Sequence, residues 1–435
     1  MHQRSFHYAW IVVAVTFLVL LVGAGIRATP SVLIIPLQQE FGWTNAEISG
    51  AIAINILLYG LVGPFAAALM ERFGLRKSIC SALALLALGT GLSVFIQASW
   101  QLKLLWGVVV GLGSGMVAIV LGATVAERWF QSRRGLVVGL LTASSATGQL
   151  VFLPLLAWLV SSQGWRLVTM FVAFIALALI PLVILFVRDR PASLGLAPFG
   201  GEEVIVTLSS RRNPAARAVG ALWNGLGQPD FWLLAGSFFI CGASTNGLIG
   251  THLIAACGDH GIPEVRAAGL LALMGVFDFL GTTGSGWLTD RCDSRWLLFS
   301  YYGLRGLSLL YLPFAFDGGF FGLPLFAIFY GLDWIATVPP TIRLAEKSFG
   351  RENAAVMFGW IAAAHQVGGA FAALAAGSLR TGTGNYFSAF LSAGIMCFLA
   401  AFLVLFIGRS GPSPFWGASG DKGKGTAGAL QARES

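Results

Sequence analysis

Long apolar runs alternate with short polar breaks along the chain, and most of the charge sits in the breaks. A helix needs about 20 mostly apolar residues to cross a bilayer. Twelve runs meet that length, at 9–36, 48–70, 78–98, 104–125, 136–159, 167–187, 231–256, 267–288, 296–316, 320–342, 355–378 and 387–408. No stretch alternates at strand period, which argues against a barrel. A single long polar gap, 188–230, carries Arg188, Arg190, Pro191, Arg211, Arg212 and Arg217 and splits the runs into two sets of six. The predicted architecture is all-α and integral to the membrane. It has an N-terminal six-helix bundle over 1–187, a cytoplasmic linker over 188–230 and a C-terminal six-helix bundle over 231–408. A disordered Gly/Ser/Lys-rich tail over 409–435 follows, without an acylation or prenylation signal.

Composition sharpens this. The 435 residues are 56% hydrophobic and 11% charged, against about 25% charged in a soluble domain. Disorder, a disulfide scaffold and a water-soluble enzyme are excluded as the main class. The five cysteines, Cys80, Cys241, Cys257, Cys292 and Cys397, have no metal or redox spacing and read as small apolar packers. The net charge of +8 would suggest nucleic acid if it formed a patch. Instead it follows topology. With the N-terminus in the cytoplasm, 21 of the 27 Lys and Arg fall on the cytoplasmic side, 4 on the other, and Arg27 and Arg305 lie inside helices. That split predicts both termini inside. The first run is too long for a signal peptide, and Arg27 interrupts the region where cleavage would occur.

The halves repeat. Glu71-Arg72-Phe73-Gly74-Leu75-Arg76-Lys77 precedes the third run, and Asp290-Arg291-Cys292-Asp293-Ser294-Arg295 precedes the ninth, 219 residues later. Trp129-Phe130-Gln131-Ser132-Arg133-Arg134-Gly135 through Gly139 is echoed by Phe349-Gly350-Arg351-Glu352 through Gly359, with an offset of 220. Two landmarks in register indicate a duplicated six-helix unit. The acid-Arg-x-Gly-x-Arg-Lys loop, found twice in matching connections, resembles the signature of the major facilitator superfamily. Here Glu71 replaces the usual Asp, Ala67 stands where Gly is common, and Leu75 separates Gly74 from the basic pair. The resemblance implies a conformational latch with Glu71 and Asp290 as acids and Arg72, Arg76 and Arg291 as bases.

Two further stretches, Gly42-Trp43-Thr44-Asn45-Ala46-Glu47-Ile48 and Thr251-His252-Leu253-Ile254 with Asp259-His260-Gly261-Ile262, are similar to the branch of monocarboxylate transporters and oxalate:formate-type antiporters. Thr44 and Glu47 form a capping-box pattern at the start of the second run. That branch commonly carries a substrate-binding Arg on the eighth helix, with an Asp one turn earlier in some members. Asp278 matches the Asp, but Thr282 occupies the place of the Arg. The fifth run has only part of the drug/proton antiporter motif: Gly139 and Gly148 fit, whereas Phe152-Leu153-Pro154 departs from it.

A charge in the bilayer centre costs at least about 2.5–3.5 kcal/mol, so each one needs a reason. Asp278, Arg305 and Asp333 lie near helix centres and Arg27 in the outer third of the first run. The resemblance places the first and tenth helices, hence Arg27 and Asp333, at a central cavity. The substrate-binding candidates are Arg27, Asn55, Tyr59, Gln149, Asn246, His252, Asp333 and His365. Asp278 and Asp333 are the proton-coupling candidates. Arg305 reads as a structural ion pair with Asp278 or Asp333. Pro339-Pro340 should kink the tenth helix near Asp333.

No nucleophile, zinc, phosphate-loop or metal-cluster pattern is present, so no enzyme, cofactor or metal is expected. The reading is a monomeric secondary transporter of a small organic solute, chosen as an organic anion such as a monocarboxylate. Its partners would be that solute, protons and the lipid bilayer, with no nucleic acid, in a bacterial inner membrane. Uptake of an uncharged or vitamin-like nutrient, efflux of a small molecule and, more remotely, a membrane receptor or enzyme are the alternatives.

Overall fold

A computed structural model of the chain describes residues 7–117, 119–201, 214–317 and 322–408. Arg211, Arg212 and the tail 409–435 lie outside the described residues, as do the side chains of Gln149, Arg217, Arg351 and Glu352.

Twelve helical rods follow one another. The first half holds α1 (Ala9–Phe41), α2 (Asn45–Phe73), α3 (Leu75–Leu92), α4 (Ser99–Trp129), α5 (Arg134–Gln163) and α6 (Trp165–Phe186). The second holds α7 (Pro229–Asp259), α8 (Glu264–Thr289), α9 (Ser294–Ala315), α10 (Leu323–Leu332 and Val338–Phe349), α11 (Arg351–Thr383) and α12 (Phe387–Val404). Between them a linker helix, Pro214–Leu226, lies against α2 and α11, where the Trp360 indole N–H donates to the Ala218 carbonyl at 2.8 Å. The linker is therefore partly helical. Among the described residues, nine helices are long and apolar enough to cross a membrane. Of the other three, α10 is interrupted, α9 carries Arg305 among tyrosines and glycines, and α5 is described as apolar only over Val151–Gln163.

Local chemistry sets the ends and breaks. The capping box at α2 forms: the Glu47 N–H donates to Thr44 Oγ1 at 3.2 Å, and the Thr44 N–H donates to Glu47 Oε2 at 2.9 Å. Pro30 stands just after Thr29 and starts the second segment of α1, where its missing N–H interrupts the ladder. In α7 a wide π-type turn over Ala243–Ile249 re-aims the side chains around Asn246. The expected kink in α10 is a full break over Asp333–Thr337. It ends before the prolines, because Pro339 and Pro340 lack N–H groups and fit only the first turn of a new helix.

Six helices per half put both termini and the linker on one face, called the terminal face; the opposite one is the distal face. The halves meet along α2 with α11, α5 with α8, and the distal parts of α1 and α7. Glycine permits the closest approaches. A Cβ on Gly377 of α11 would overlap Ser49 of α2, and one on Gly281 of α8 would overlap the Leu332 carbonyl of α10. The two hydrogen bonds that join the halves, among the described residues, both lie at the distal face. Tyr386 Oη donates to Asn45 Oδ1 at 3.2 Å, and the Ala46 N–H donates to Thr381 Oγ1 at 3.2 Å.

The Gly281 contact gives a stability test. Gly281→Ala should cost about 1–3 kcal/mol, because backbone rather than a movable side chain must give way. Gly284→Ala, three residues along α8 with nothing within 4 Å of the added Cβ, should be near neutral. Thermal unfolding of the purified variants in detergent checks both.

Candidate functional site

A cavity lies between the halves. Arg27 on α1, Ile52, Asn55, Ile56 and Tyr59 on α2, and Leu153 on α5 line it from the first half. Asn246 and Thr251 on α7, Met274 and Asp278 on α8, Trp334 at the break of α10 and Gln366 on α11 line it from the second. Burial and polarity are mixed, as suits a solute with an apolar body and a few fixed polar groups.

Arg27 is half-buried and stacks its guanidinium on Tyr59 at 4.7 Å from the ring centroid. No carboxylate lies within 4.0 Å of it among the described residues. Asn55 is buried, and its amide donates to the Trp106 carbonyl of α4 at 2.7 Å, so one of its groups is spent on holding helices together. Asn246 Nδ2 faces Gln366 Oε1 at 3.4 Å across the cavity wall.

The wall on the α10 side is a turn in which Asp333 and Trp334 donate to the Tyr330 and Gly331 carbonyls, and side chains from three other helices brace it. Arg305 of α9 is fully enclosed. It donates from Nε to Asp333 Oδ2 at 2.7 Å, from Nη2 to the carbonyls of Asp333 and Trp334, and from Nη1 to Cys241 Sγ at 2.8 Å. Asp278 of α8 uses Oδ1 to accept the Ile335 N–H at 2.9 Å and the Thr282 hydroxyl at 2.9 Å. Ser285 donates to the Ala336 carbonyl, and Cys241 Sγ lies 3.4 Å from Thr337 Oγ1. The other oxygen of Asp333, Oδ1, is buried without a partner.

These contacts separate the midplane acids. Asp333 is paired with Arg305 and does not line the cavity, whereas Asp278 does. Cys241, read from sequence as an apolar packer, is an acceptor for Arg305. His252 is fully buried: one ring nitrogen faces Tyr386 Oη at 3.2 Å and the other the Ala373 carbonyl at 2.8 Å. His365 packs against the Phe238 ring, with centroids 4.8 Å apart. Neither histidine lines the cavity. Gln366 faces it instead, because one residue along a helix turns the side chain by about 100°. Gln149 lies on α5 with its side chain outside the described residues.

Residues 15–373 match the sequence profile of the Major Facilitator Superfamily. The chain belongs to that superfamily. It is similar to monocarboxylate transporter 13 of Bos taurus, 28% identical over 392 residues, covering 89% of this chain and 86% of the relative. An uncharacterized MFS-type transporter, YcxA of Bacillus subtilis (strain 168), is 25% identical over 391 residues, covering 87% and 90%. Among solved structures, an inward open conformation of the xylose transporter XylE from E. coli superposes with a TM-score of 0.72 at 16% identity, covering 92% and 96%. A D-xylose-proton symporter gives 0.71 at 17% identity, covering 92% and 98%. Family and fold make the chain a multi-pass membrane transport protein with a small-molecule substrate, not an enzyme.

The superfamily's repeated loops lie on the terminal face. Glu71, Arg72, Arg76, Asp290 and Arg291 form no ion pair among the described residues. Arg72 stacks on Phe73 at 5.4 Å, and Arg291 stacks on Trp287 at 4.1 Å and donates to its carbonyl. Other acids do the local work. Asp189, just after α6, accepts the Arg76 N–H at 2.9 Å and so caps α3. Gly74, at φ 87°, leaves room for that carboxylate where a Cβ would overlap it. At the equivalent place in the second half Asp293 caps α9 itself, accepting the Arg295 N–H at 2.9 Å. The Arg295 guanidinium holds the Asp293 carboxyl at about 2, below its ordinary 3.8. That cap therefore contributes in full above 3.8 and is lost as the pH falls through about 2.

Breaking the Arg305–Asp333 pair is predicted to be asymmetric. Arg305→Met leaves a buried carboxylate and two carbonyls without donors and should cost about 3–5 kcal/mol, enough to depress folded yield. Asp333→Asn leaves the buried Arg305 charge without its carboxylate but keeps an oxygen for its Nε–H and both carbonyl bonds, so it should be destabilising yet cost less. Folded yield and melting temperature of the two variants check the order.

Proposed function

We propose that the chain is a secondary active transporter of small organic carboxylates, coupled to protons and working by alternating access. The observation that carries this is Arg27: a cation facing a cavity between the halves, with no carboxylate beside it among the described residues. An unpaired charge at such depth is costly, and an anionic solute would compensate it. The curated relatives named as monocarboxylate transporters support the same class. Asp278 is the better placed of the two candidate proton carriers, since it lines the cavity while Arg305 engages Asp333.

The distribution of Lys and Arg supports cytoplasmic termini, and short loops suit a monomer in a bacterial inner membrane. In that orientation the distal hydrogen bonds close the external side, and the cavity belongs to an inward-facing state. Rocking the halves would break the Tyr386–Asn45 and Ala46–Thr381 contacts and bring the terminal loops with Glu71, Arg72, Arg76, Asp290 and Arg291 into play. A second reading, an uncharged nutrient or export of a small molecule, draws on Thr282 in place of an arginine and on the apolar wall of Ile52, Ile56 and Met274.

The test is uptake of labelled pyruvate and lactate by the protein in liposomes under an inward proton gradient. Saturable, gradient-dependent uptake is expected, reduced roughly tenfold or more in Arg27→Ala, as for loss of a close charge contact. Absence of uptake in folded protein would refute the carboxylate reading and favour the second one.

A further inference from the structure

The cavity holds two opposite charges, and neither is neutralised by the protein. Arg27 enters from α1 in the first half, and Asp278 from α8 in the second. No ion pair within 4.0 Å involves either of them among the described residues, although both line one cavity. Asp278 is 4% exposed. Both of its hydrogen bonds are from neutral donors, Thr282 and Ile335, and both fall on Oδ1. Oδ2 forms no hydrogen bond among the described residues, and the residue lines the cavity. The contrast lies one turn of backbone away, where Arg305 and Asp333 neutralise each other out of reach of the cavity.

We infer that the substrate is bipolar: a small amino-carboxylate, whose carboxylate meets Arg27 and whose protonated amine meets Asp278. This rests on the carboxylate reading above, because it keeps Arg27 as the anion contact, and it adds the second end. A plain carboxylate satisfies Arg27 and leaves Asp278 in need of a proton. An amino-carboxylate satisfies both and brings no net charge into the membrane. Its amine then occupies the place a proton takes when a plain carboxylate is carried. Between the two charges the walls at Ile52, Ile56 and Met274 are apolar and suit a short methylene chain. Because the charges belong to different halves, such a ligand ties the halves together, which favours closure around it.

The experiment is isothermal titration of the full-length protein in lipid nanodiscs, at one pH, with two matched series. One is acetate, propanoate, butanoate and pentanoate; the other is glycine, β-alanine, 4-aminobutanoate and 5-aminopentanoate. At least one amino-carboxylate should bind roughly tenfold or more tightly than the carboxylate of equal length, as for a close charge pair away from water. Asp278→Asn keeps an acceptor oxygen for Thr282 and Ile335, so it should fold while losing the preference for the amino series. Arg27→Gln should weaken both series. Equal binding of the two series, or a preference that survives Asp278→Asn, would overturn the inference; equal binding with loss of both in Arg27→Gln would leave the carboxylate reading standing. No binding of either series, in protein that unfolds cooperatively on heating, would overturn both.

Discussion

Five residues of α10, Asp333–Thr337, leave the helix at membrane depth, where no water is at hand to take up their backbone groups. An unsatisfied peptide group there costs several kcal/mol, more than most single side-chain contacts return. The fold meets this constraint with a few local turn bonds and with side chains from α8 and α9. Arg305 serves two carbonyls, Asp278 serves the Ile335 N–H, and Ser285 serves the Ala336 carbonyl. Much of the C-terminal half follows from that arrangement. Arg305 must be fully enclosed, Asp333 must stand beside it as counter-charge, and Gly281 must lack a side chain so that α8 can approach α10.

The same turn positions the cavity wall. Trp334 reaches the space between the halves because the backbone is unwound there, and Asp278 reaches it because its other oxygen is anchored to that backbone. The first half contributes Arg27, just before the Pro30 segment of α1, and Tyr59 beneath its guanidinium. The cavity thus combines a charged contact from each half, while among the described residues hydrogen bonds between halves are confined to the distal face. A superfamily transporter needs that asymmetry, since a seam of few, exchangeable contacts can open at one end while the other closes.

Sequence reading reached the architecture because bilayer length and charge topology are written in composition. The twelve runs correspond to the twelve rods, and the capping box at Thr44 and Glu47 forms from adjacent residues. It was less able to sort the buried polar residues. Sequence alone leaves Arg305 between two acids, and only the geometry selects Asp333. His365 drew attention as a titratable group, yet its neighbour Gln366 faces the cavity; helix rotation decides that, and the phase of an all-round apolar helix is hard to read. Asp189 carries no local sign of capping α3, because the two are 113 residues apart. Asp293, directly before its helix, was visible in principle as an N-cap.

Amide hydrogen exchange across residues 333–337, followed by mass spectrometry on the protein in nanodiscs, tests most directly whether this turn is a fixed wall. At Asp333, Trp334 and Ile335, exchange about as slow as in the flanking helices Leu323–Leu332 and Val338–Phe349 is predicted, because the first two N–H groups donate to the Tyr330 and Gly331 carbonyls and Asp278 takes the third. Exchange as fast as in the distal connection 260–263 would show a mobile joint, and the account of how Arg305 and Asp278 build the cavity would be contradicted.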